Sequence, residues 1–213
     1  MVNLEEIRDD VVQGKAPQVK DLVQKAIDEG QDVEEVLNQG LISGMGIVGE
    51  KFERNEFYIP EMLIAARAMK QGMQILRPLL TEKGIETIGT VILGTARGDL
   101  HDIGKNLVGM MLEGAGFEIV DLGIDVSPEK FIETAKEKKA HLIGVSALLT
   151  TTMVSMKDVV KAVQEANLDN KVKVMIGGAP VTQSYADEIG ADGYAPDAAS
   201  AVDKAKELLE GNF

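Results

Sequence analysis

The spacing of apolar residues changes near residue 84, and this change limits what the chain can fold into. Up to about Leu80, apolar residues recur at helical intervals, as at Val19, Val23 and Ala26. Beyond residue 84, short runs rich in β-branched residues alternate with helical segments. We therefore predict two domains: a helical domain at 1–84 and an α/β domain at 85–213.

The first domain is predicted to contain four helices, spanning roughly 3–13, 16–29, 32–54 and 59–82. Pro17 and Pro60 suit the first turns of the second and fourth helices, because the amide that proline lacks has no partner there. The interiors of the last two helices contain residues that weaken helical continuity: Gly44, Gly46, Gly49 and Pro78. Four such helices would form a small antiparallel bundle.

The second domain is predicted to be a five-stranded parallel sheet with helices on both faces, of the Rossmann-like or flavodoxin-like type. Its strands lie near 88–95, 117–122, 141–147, 172–177 and 192–195. Its helices lie near 103–115, 128–138, 151–166, 181–189 and 198–210. Ligands of such sheets bind beyond the carboxyl ends of the strands, so the loops that follow the strands are the candidate site.

Composition excludes several classes of function. The net charge of −13 disfavours binding to nucleic acid or to an anionic membrane surface. The absence of cysteine excludes disulfides and thiolate zinc sites, and it fits a reducing compartment. No apolar run approaches the roughly 20 residues of a membrane span, and the first residues do not read as a signal peptide. We therefore expect a cytoplasmic protein.

The most specific motif follows the first predicted strand and reads Gly-Asp-Leu-His-Asp-Ile-Gly at 98–104. In an extended Asp99-Leu100-His101 segment, the first and third side chains lie on the same side, so Asp99 can accept a hydrogen bond from one imidazole nitrogen. The other nitrogen of His101 is then free to bind a metal. Since only two histidines and no cysteine are present, a firmly held metal must arrive largely coordinated by something else.

Two further motifs follow later strands. The third strand ends in Ser146-Ala147-Leu148 and passes into Thr150-Thr151-Thr152, and the fourth ends in Gly177-Gly178. Paired residues without side chains suggest a slot between strand ends. Taken singly, the threonines are explained by helix capping, the glycines by a tight turn and His101 by a surface position. His141, at the start of the third strand, has no such partners and is predicted to be structural.

The three spaced motifs together resemble the cobalamin-binding domain of corrinoid-dependent methyltransferases and mutases. Forty-one residues separate Gly104 from Ser146, and 28 separate Leu148 from Gly177. Upstream, the segments 44–52 and 57–60 resemble the helical cap of methionine synthase and of free-standing methyltransferase corrinoid proteins. The resemblance covers essentially the whole chain.

This resemblance implies roles for particular residues. His101 would be the lower axial ligand of cobalt, with Asp99 behind it and Thr152 in place of the serine that completes the relay in methionine synthase. Phe52 and Ile59 would face the methyl-bearing side of the corrin, and the nucleotide tail would thread into the slot. The cofactor contacts implied in the second domain are Gly98, Asp99, Leu100, His101, Asp102, Ile103, Gly104, Ser146, Leu148, Thr150, Gly177, Gly178 and Ala198.

The function implied is that of a methyl carrier. Cobalamin, in the methylcobalamin form when loaded, would take a methyl group on Co(I) from a donor methyltransferase and pass it to an acceptor methyltransferase that uses a folate or a thiol. His101 would bind Co(III) and loosen at Co(I), with proton movement through Asp99. Donor activation commonly needs zinc, which this chain cannot readily hold, so both partners and a possible reductive activator are expected to be separate proteins.

Other functions also fit these sequence features. The resemblance also fits the small subunit of an adenosylcobalamin-dependent mutase, although such subunits do not characteristically carry the helical cap. A cobalamin sensor is a third reading, and no basic helix-turn-helix segment supports a DNA-binding form of it. A receiver or flavin-binding protein would share the topology but would leave the His101 motif unexplained. The methyl donor stays open among methylamines, methanol, aryl methyl ethers and quaternary amines.

Overall fold

A computed structural model describes residues 1–85, 87–168 and 171–210. Residues 86, 169, 170 and 211–213 of the predicted second domain therefore lie outside the described part of the chain. Two compact units are present: Met1–Thr87 with Gly114–Gly116, and Ile88–Glu113 with Phe117–Phe213. None of the helices in the described residues is both long and apolar enough to cross a membrane.

The first unit consists of helices. These are α1 Leu4–Val12, α2 Ala16–Asp28, α3 Val33–Glu35, a π-helical segment Val36–Ile42, α4 Ser43–Glu53 and α5 Ile59–Glu82. Pro17 and Pro60 lie in the first turns of α2 and α5, as predicted. Side-chain oxygens of Asn3 and Asp32 cap α1 and α3 by accepting hydrogen bonds from free backbone amides.

The predicted helix at 32–54 is the main departure in this unit, because it contains a π-helical segment between α3 and α4. Glycines in and after this segment serve packing. A Cβ atom added to Gly40 would lie 3.0 Å from Ile7, and one added to Gly44 would lie 2.8 Å from Val11. The glycines thus allow α1 to cross closely, and α4 runs through Gly44, Gly46 and Gly49 without interruption. Helix α5 likewise continues past Pro78.

The second unit contains the predicted five-stranded parallel sheet, in the order β2-β1-β3-β4-β5. Its strands are β1 Thr90–Thr95, β2 Glu118–Asp121, β3 Leu142–Ser146, β4 Lys173–Gly177 and β5 Gly193–Ala195. Its helices are α6 Ile103–Gly114, α7 Pro128–Lys138, α8 Val154–Glu165, α9 Gln183–Ile189 and α10 Ala198–Glu210. Helices α8 and α9 begin later than the predicted 151 and 181, because turns precede them.

The strand order determines where a ligand can bind. Strands β1 and β3 are adjacent at the centre of the sheet, while the chain goes from β1 to β2 on one side and from β3 to β4 on the other. The loops after β1 and β3 therefore diverge and leave a crevice. At this edge the register aligns Thr95, Ser146, Gly177 and Ala195 across four neighbouring strands. The predicted motifs follow three of these strand ends.

Candidate functional site

Asp99 orients His101, as the motif predicts. The Asp99 side chain is fully buried behind the end of β1. Its Oδ1 atom lies 2.8 Å from Nδ1 of His101 and accepts the backbone N–H of the same residue at 3.1 Å. One carboxylate oxygen therefore fixes both the ring and the backbone of the histidine. The arrangement selects the tautomer that carries its proton on Nδ1.

The other oxygen of Asp99 binds the loop between β3 and α8. Oδ2 accepts the Thr152 hydroxyl at 2.6 Å and the backbone N–H groups of Leu148 at 2.8 Å and Leu149 at 3.3 Å. The side chain that orients the histidine therefore also holds a second loop of the crevice. Thr152 is buried, and its hydroxyl completes the predicted chain of hydrogen bonds from His101 through Asp99.

These contacts determine the charge of Asp99. Burial alone raises the pKa of this carboxyl, but hydrogen bonds from Thr152, Leu148 and His101 outweigh burial and hold the pKa well below its usual range. Asp99 is therefore a carboxylate at neutral pH. Proton movement through Asp99 stays a prediction.

The second ring nitrogen of His101, Nε2, lies in a different environment from Nδ1. The His101 side chain is 51% exposed, and within the described residues no hydrogen bond engages Nε2. The Thr95 hydroxyl donates to the His101 carbonyl at 2.8 Å and fixes the backbone from the opposite side. His141 differs, because its Nδ1 accepts the backbone N–H of Thr90 at 3.0 Å inside the sheet domain. This contact agrees with the predicted structural role of His141.

Apolar side chains are exposed around the same strand ends. Leu100 and Ile103, on either side of His101, are 67% and 72% exposed, and Leu148 and Leu149 are also exposed. Large exposed apolar side chains on a folded domain indicate a binding surface. A Cβ atom added to Gly104 would meet nothing within 4 Å, so the lack of a side chain leaves open space at the start of α6.

The two glycines of the predicted slot, Gly177 and Gly178, have different backbone surroundings. Gly178 has φ +127°, and a Cβ atom there would lie 1.9 Å from the carbonyl oxygen of Ala147, so only glycine fits. A Cβ atom on Gly177 would lie 2.9 Å from the Ala195 carbonyl oxygen. Ser146 is paired with Gly177 in the strand register. The structure thus brings Ser146, Gly177 and Gly178 together at one edge of the sheet.

The remaining predicted cofactor contacts lie in several different elements and differ in their exposure. Asp102 and Thr150 are exposed, and Ala198 is buried at the start of α10. Phe52 and Ile59 belong to the helical unit, where Phe52 is partly buried in α4 and Ile59 is exposed at the start of α5. The assignment of these two residues to the methyl-bearing side of a corrin stays a prediction.

Three polar residues near the strand ends were not predicted. Lys105 is buried, and its ammonium group lies 2.5 Å from Asp121 Oδ2. Asp197 caps α10 by accepting the backbone N–H groups of Ala199 and Ser200. Asp125 accepts the backbone N–H of Gly98. Each acts on residues distant in sequence or on a helix end, and only the Asp197 cap has a recognisable local signal, an acidic residue before a helix.

The described part of the chain offers no evident site for a bare metal ion. Among the described residues, no group of three or more His, Asp or Glu side chains converges so as to hold one. One exposed imidazole nitrogen beside an apolar surface is instead suited to a metal carried within a large organic ligand.

Comparison with known proteins identifies that ligand class. A B12 binding domain model matches residues 89–203, just over half of the chain, and a second B12 binding domain model matches residues 4–77. The chain belongs to the corrinoid proteins of methyltransferase systems. Dimethylamine corrinoid protein 3 of Methanosarcina acetivorans is 47% identical over 206 residues, covering 97% of this chain and 96% of the relative. A corrinoid protein of Desulfitobacterium hafniense is 42% identical, with 97% of each chain covered.

Solved structures agree with this family. This corrinoid protein resembles a chain in the methanol:cobalamin methyltransferase complex of Methanosarcina barkeri with a TM-score of 0.85 and 31% identity, covering 97% of this chain and 79% of that one. It resembles a cobalamin-binding protein of Desulfitobacterium hafniense with a TM-score of 0.80 and 30% identity, covering 98% and 99%. Both the predicted family and the predicted fold are therefore confirmed.

The residues of the α/β domain fit a cobalamin. The His101 side chain is half exposed, so its Nε2 atom can ligate a metal, and the exposed apolar residues on either side of His101 can lie against a macrocycle. The free space at Gly104 and the small residues at 177 and 178 allow close approach of a bulky group. His101, Leu100, Ile103 and Gly104 are therefore the residues that would hold the ring.

Proposed function

We propose that this corrinoid protein is a methyl carrier that works between a donor and an acceptor methyltransferase. The observation that carries the proposal is the His101 imidazole, bound through Nδ1 to an ionised Asp99 and accessible at Nε2. When bound, cobalamin supplies a cobalt centre that can accept a methyl group and release it to a nucleophile. The chain supplies ligation, orientation and shielding.

Each residue of the His101–Asp99–Thr152 chain has a distinct task in this proposal. His101 would offer Nε2 to the cobalt of a bound cobalamin. Asp99 would keep the proton on Nδ1, which leaves Nε2 available to a metal. The Thr152 hydroxyl has one proton and lies within reach of two acceptors, Asp99 Oδ2 at 2.6 Å and the Leu149 carbonyl at 2.9 Å. The charged carboxylate is the stronger acceptor.

The names of the relatives support a proposal for the donor class. Relatives named dimethylamine corrinoid protein are 43–47% identical to this chain over 95% or more of its length, whereas the methanol complex chain is 31% identical. This ranking supports a methylated amine as the donor, with a separate methyltransferase that recognises it. The match to residues 4–77 favours a carrier over a mutase subunit, because that region is the predicted cap.

Axial ligation is tested by absorption spectroscopy of the protein mixed with hydroxocobalamin. We expect His101→Ala to shift the spectrum of bound cobalamin towards that of the form without an axial imidazole. His141→Asn is the matched control, because asparagine retains an acceptor for the Thr90 amide and the residue is far along the chain from the motif. Identical spectra for wild type and His101→Ala would refute axial ligation by His101.

The carrier role needs a separate test. The reduced, cobalamin-loaded protein is incubated with a candidate amine methyltransferase and its substrate, and a light-sensitive methyl–cobalt spectrum is expected. Activity with only the adenosyl form of the cofactor would instead identify a mutase subunit. A change of association state on cobalamin binding without methyl transfer would indicate a sensor.

A further inference from the structure

Asp125, in the loop between β2 and α7, has an unusual backbone conformation. Its φ is +52°, a region that residues with side chains rarely adopt. The other described non-glycine residues with positive φ are Asn55, Lys139 and Asn167, and each follows the end of a helix, where this conformation is common. Asp125 precedes α7 instead, so helix termination does not explain its conformation.

The conformation of Asp125 lets one residue form two hydrogen bonds to the loop that carries His101. Its Oδ1 atom accepts the backbone N–H of Gly98 at 2.7 Å. Its own backbone N–H donates to the carbonyl of Asp99 at 3.0 Å. Gly98 also has a positive φ, of +84°, which glycine adopts without strain, so of the two partners it is Asp125 whose conformation needs support from neighbours.

The residues beside Asp125 attach the same loop to the sheet. The Val126 N–H donates to the Thr95 carbonyl at 3.0 Å, and the Thr95 N–H donates to the Gly123 carbonyl at 2.9 Å. Segment 123–126 is therefore fixed to the end of β1, and from there Asp125 holds Gly98 and Asp99. The His101 turn is thus bound to a firm support on the side of β2.

We infer that Asp125 is a positioning residue for axial ligation. It acts through the backbone of Gly98 and Asp99, and it sets the position from which Asp99 aims Nε2 of His101. The inference rests on the proposed axial role of His101. Loss of an outer partner of a metal ligand typically weakens binding by about 10- to 100-fold, and we expect about tenfold here because Asp125 acts one residue further away.

Three substitutions separate the acceptor from the backbone conformation. Asp125→Asn keeps an acceptor oxygen and a residue that tolerates positive φ. Asp125→Gly keeps the conformation but removes the acceptor, and Asp125→Ala removes both. Asp192→Gly is the matched control, because it also removes a carboxylate that accepts a backbone N–H, from Val174 at 2.8 Å, at the opposite edge of the sheet.

The measurement is the fraction of bound cobalamin that carries the axial imidazole. Electron paramagnetic resonance of the Co(II) form reports this bond directly, because the coordinating nitrogen splits the cobalt lines. We expect Asp125→Asn and Asp192→Gly to resemble wild type. We expect Asp125→Gly and Asp125→Ala to lower the ratio of ligated to unligated cofactor about tenfold, and thermal unfolding of Asp125→Gly checks that the variant is folded.

The outcomes distinguish this inference from the proposed function. If His101→Ala abolishes nitrogen splitting while Asp125→Gly and Asp125→Ala retain the wild-type ratio, the role of Asp125 is refuted and axial ligation stands. If His101→Ala leaves the splitting unchanged, axial ligation is refuted and the role of Asp125 with it. A loss in Asp125→Asn as large as in Asp125→Ala would also refute the role argued here, which requires an acceptor oxygen and not a charge.

Discussion

Replacement of either of two glycines of the site by alanine is expected to have opposite effects. Gly178→Ala should lower the stability of the protein, whereas Gly104→Ala should leave stability intact and weaken cobalamin binding. In Gly178→Ala the new methyl group would lie 1.9 Å from the Ala147 carbonyl oxygen, whereas real Cβ atoms essentially never approach another heavy atom within 3.0 Å. The clash is with backbone, so a strand end must move. In Gly104→Ala the new methyl group meets nothing within 4 Å.

The magnitudes follow from these surroundings. An unfavourable backbone region alone costs about 1–3 kcal/mol, and the clash at Gly178 adds to it, so we expect Gly178→Ala to lower the free energy of unfolding by about 3 kcal/mol or more. For a protein of this size that loss lowers Tm by about 6–12 °C. Gly104 lies in the first turn of α6, so alanine should leave stability unchanged or raise it by up to about 1 kcal/mol.

Cobalamin affinity, unlike stability, should be reduced in Gly104→Ala. If a corrin approaches the backbone at Gly104, the added methyl group takes its space, and we expect affinity to fall about tenfold, which corresponds to about 1.4 kcal/mol. Thermal unfolding of the cofactor-free variants and equilibrium dialysis with hydroxocobalamin measure the two effects. Wild-type Tm in Gly178→Ala would refute the steric argument, and wild-type affinity in Gly104→Ala would refute close approach of the cofactor there.

Two further predictions concern the hydrogen bonds of Asp99. Thr152→Val should lower the free energy of unfolding by about 1–3 kcal/mol, because the buried carboxylate of Asp99 loses a hydrogen-bond donor. Thr152→Ser keeps the hydroxyl and should stay within about 1 kcal/mol of wild type. Equal losses of stability for the two variants in urea denaturation would contradict this. Since the pKa of Asp99 is lowered on folding, its contribution to stability is complete above the unfolded value of about 3.9 and is lost as pH falls towards the folded value. Asp99→Asn should therefore be less stable than wild type at pH 7, with a difference that narrows below pH 4, and a constant difference across this range would oppose the assignment.

Much of the fold could be predicted because each pattern is local. Helical spacing and proline positions predict α1, α2 and α5, and apolar runs predict all five strands to within two residues. The π-helical segment at 36–42 could not be predicted, because it lies where α1 crosses close to Gly40 and Gly44, and spacing within one helix does not report the approach of another. Gly44, which weakens a helix in isolation, is required here because a side chain at this position would meet Val11 of α1.

In the site, as in the fold, contacts between residues near in sequence could be predicted from local patterns and contacts between distant residues could not. The Asp99–His101 contact spans two residues and follows from strand geometry, whereas the Asp99–Thr152 contact spans 53 positions and was predicted only by resemblance. The two bonds of Asp125 to Gly98 and Asp99 had no signal at all, because an aspartate in a loop is ordinary and its positive φ is visible only in three dimensions.

The double use of the Asp99 carboxylate has an evolutionary consequence. One oxygen serves the imidazole and the other secures residues 148–152, so a mutation of Asp99 disturbs both the His101 ring and the neighbouring loop. A descendant that lost the Asp99 carboxylate would need a new anchor for that loop. Selection for a folded protein alone would therefore favour keeping Asp99, independently of any role of His101 in metal binding.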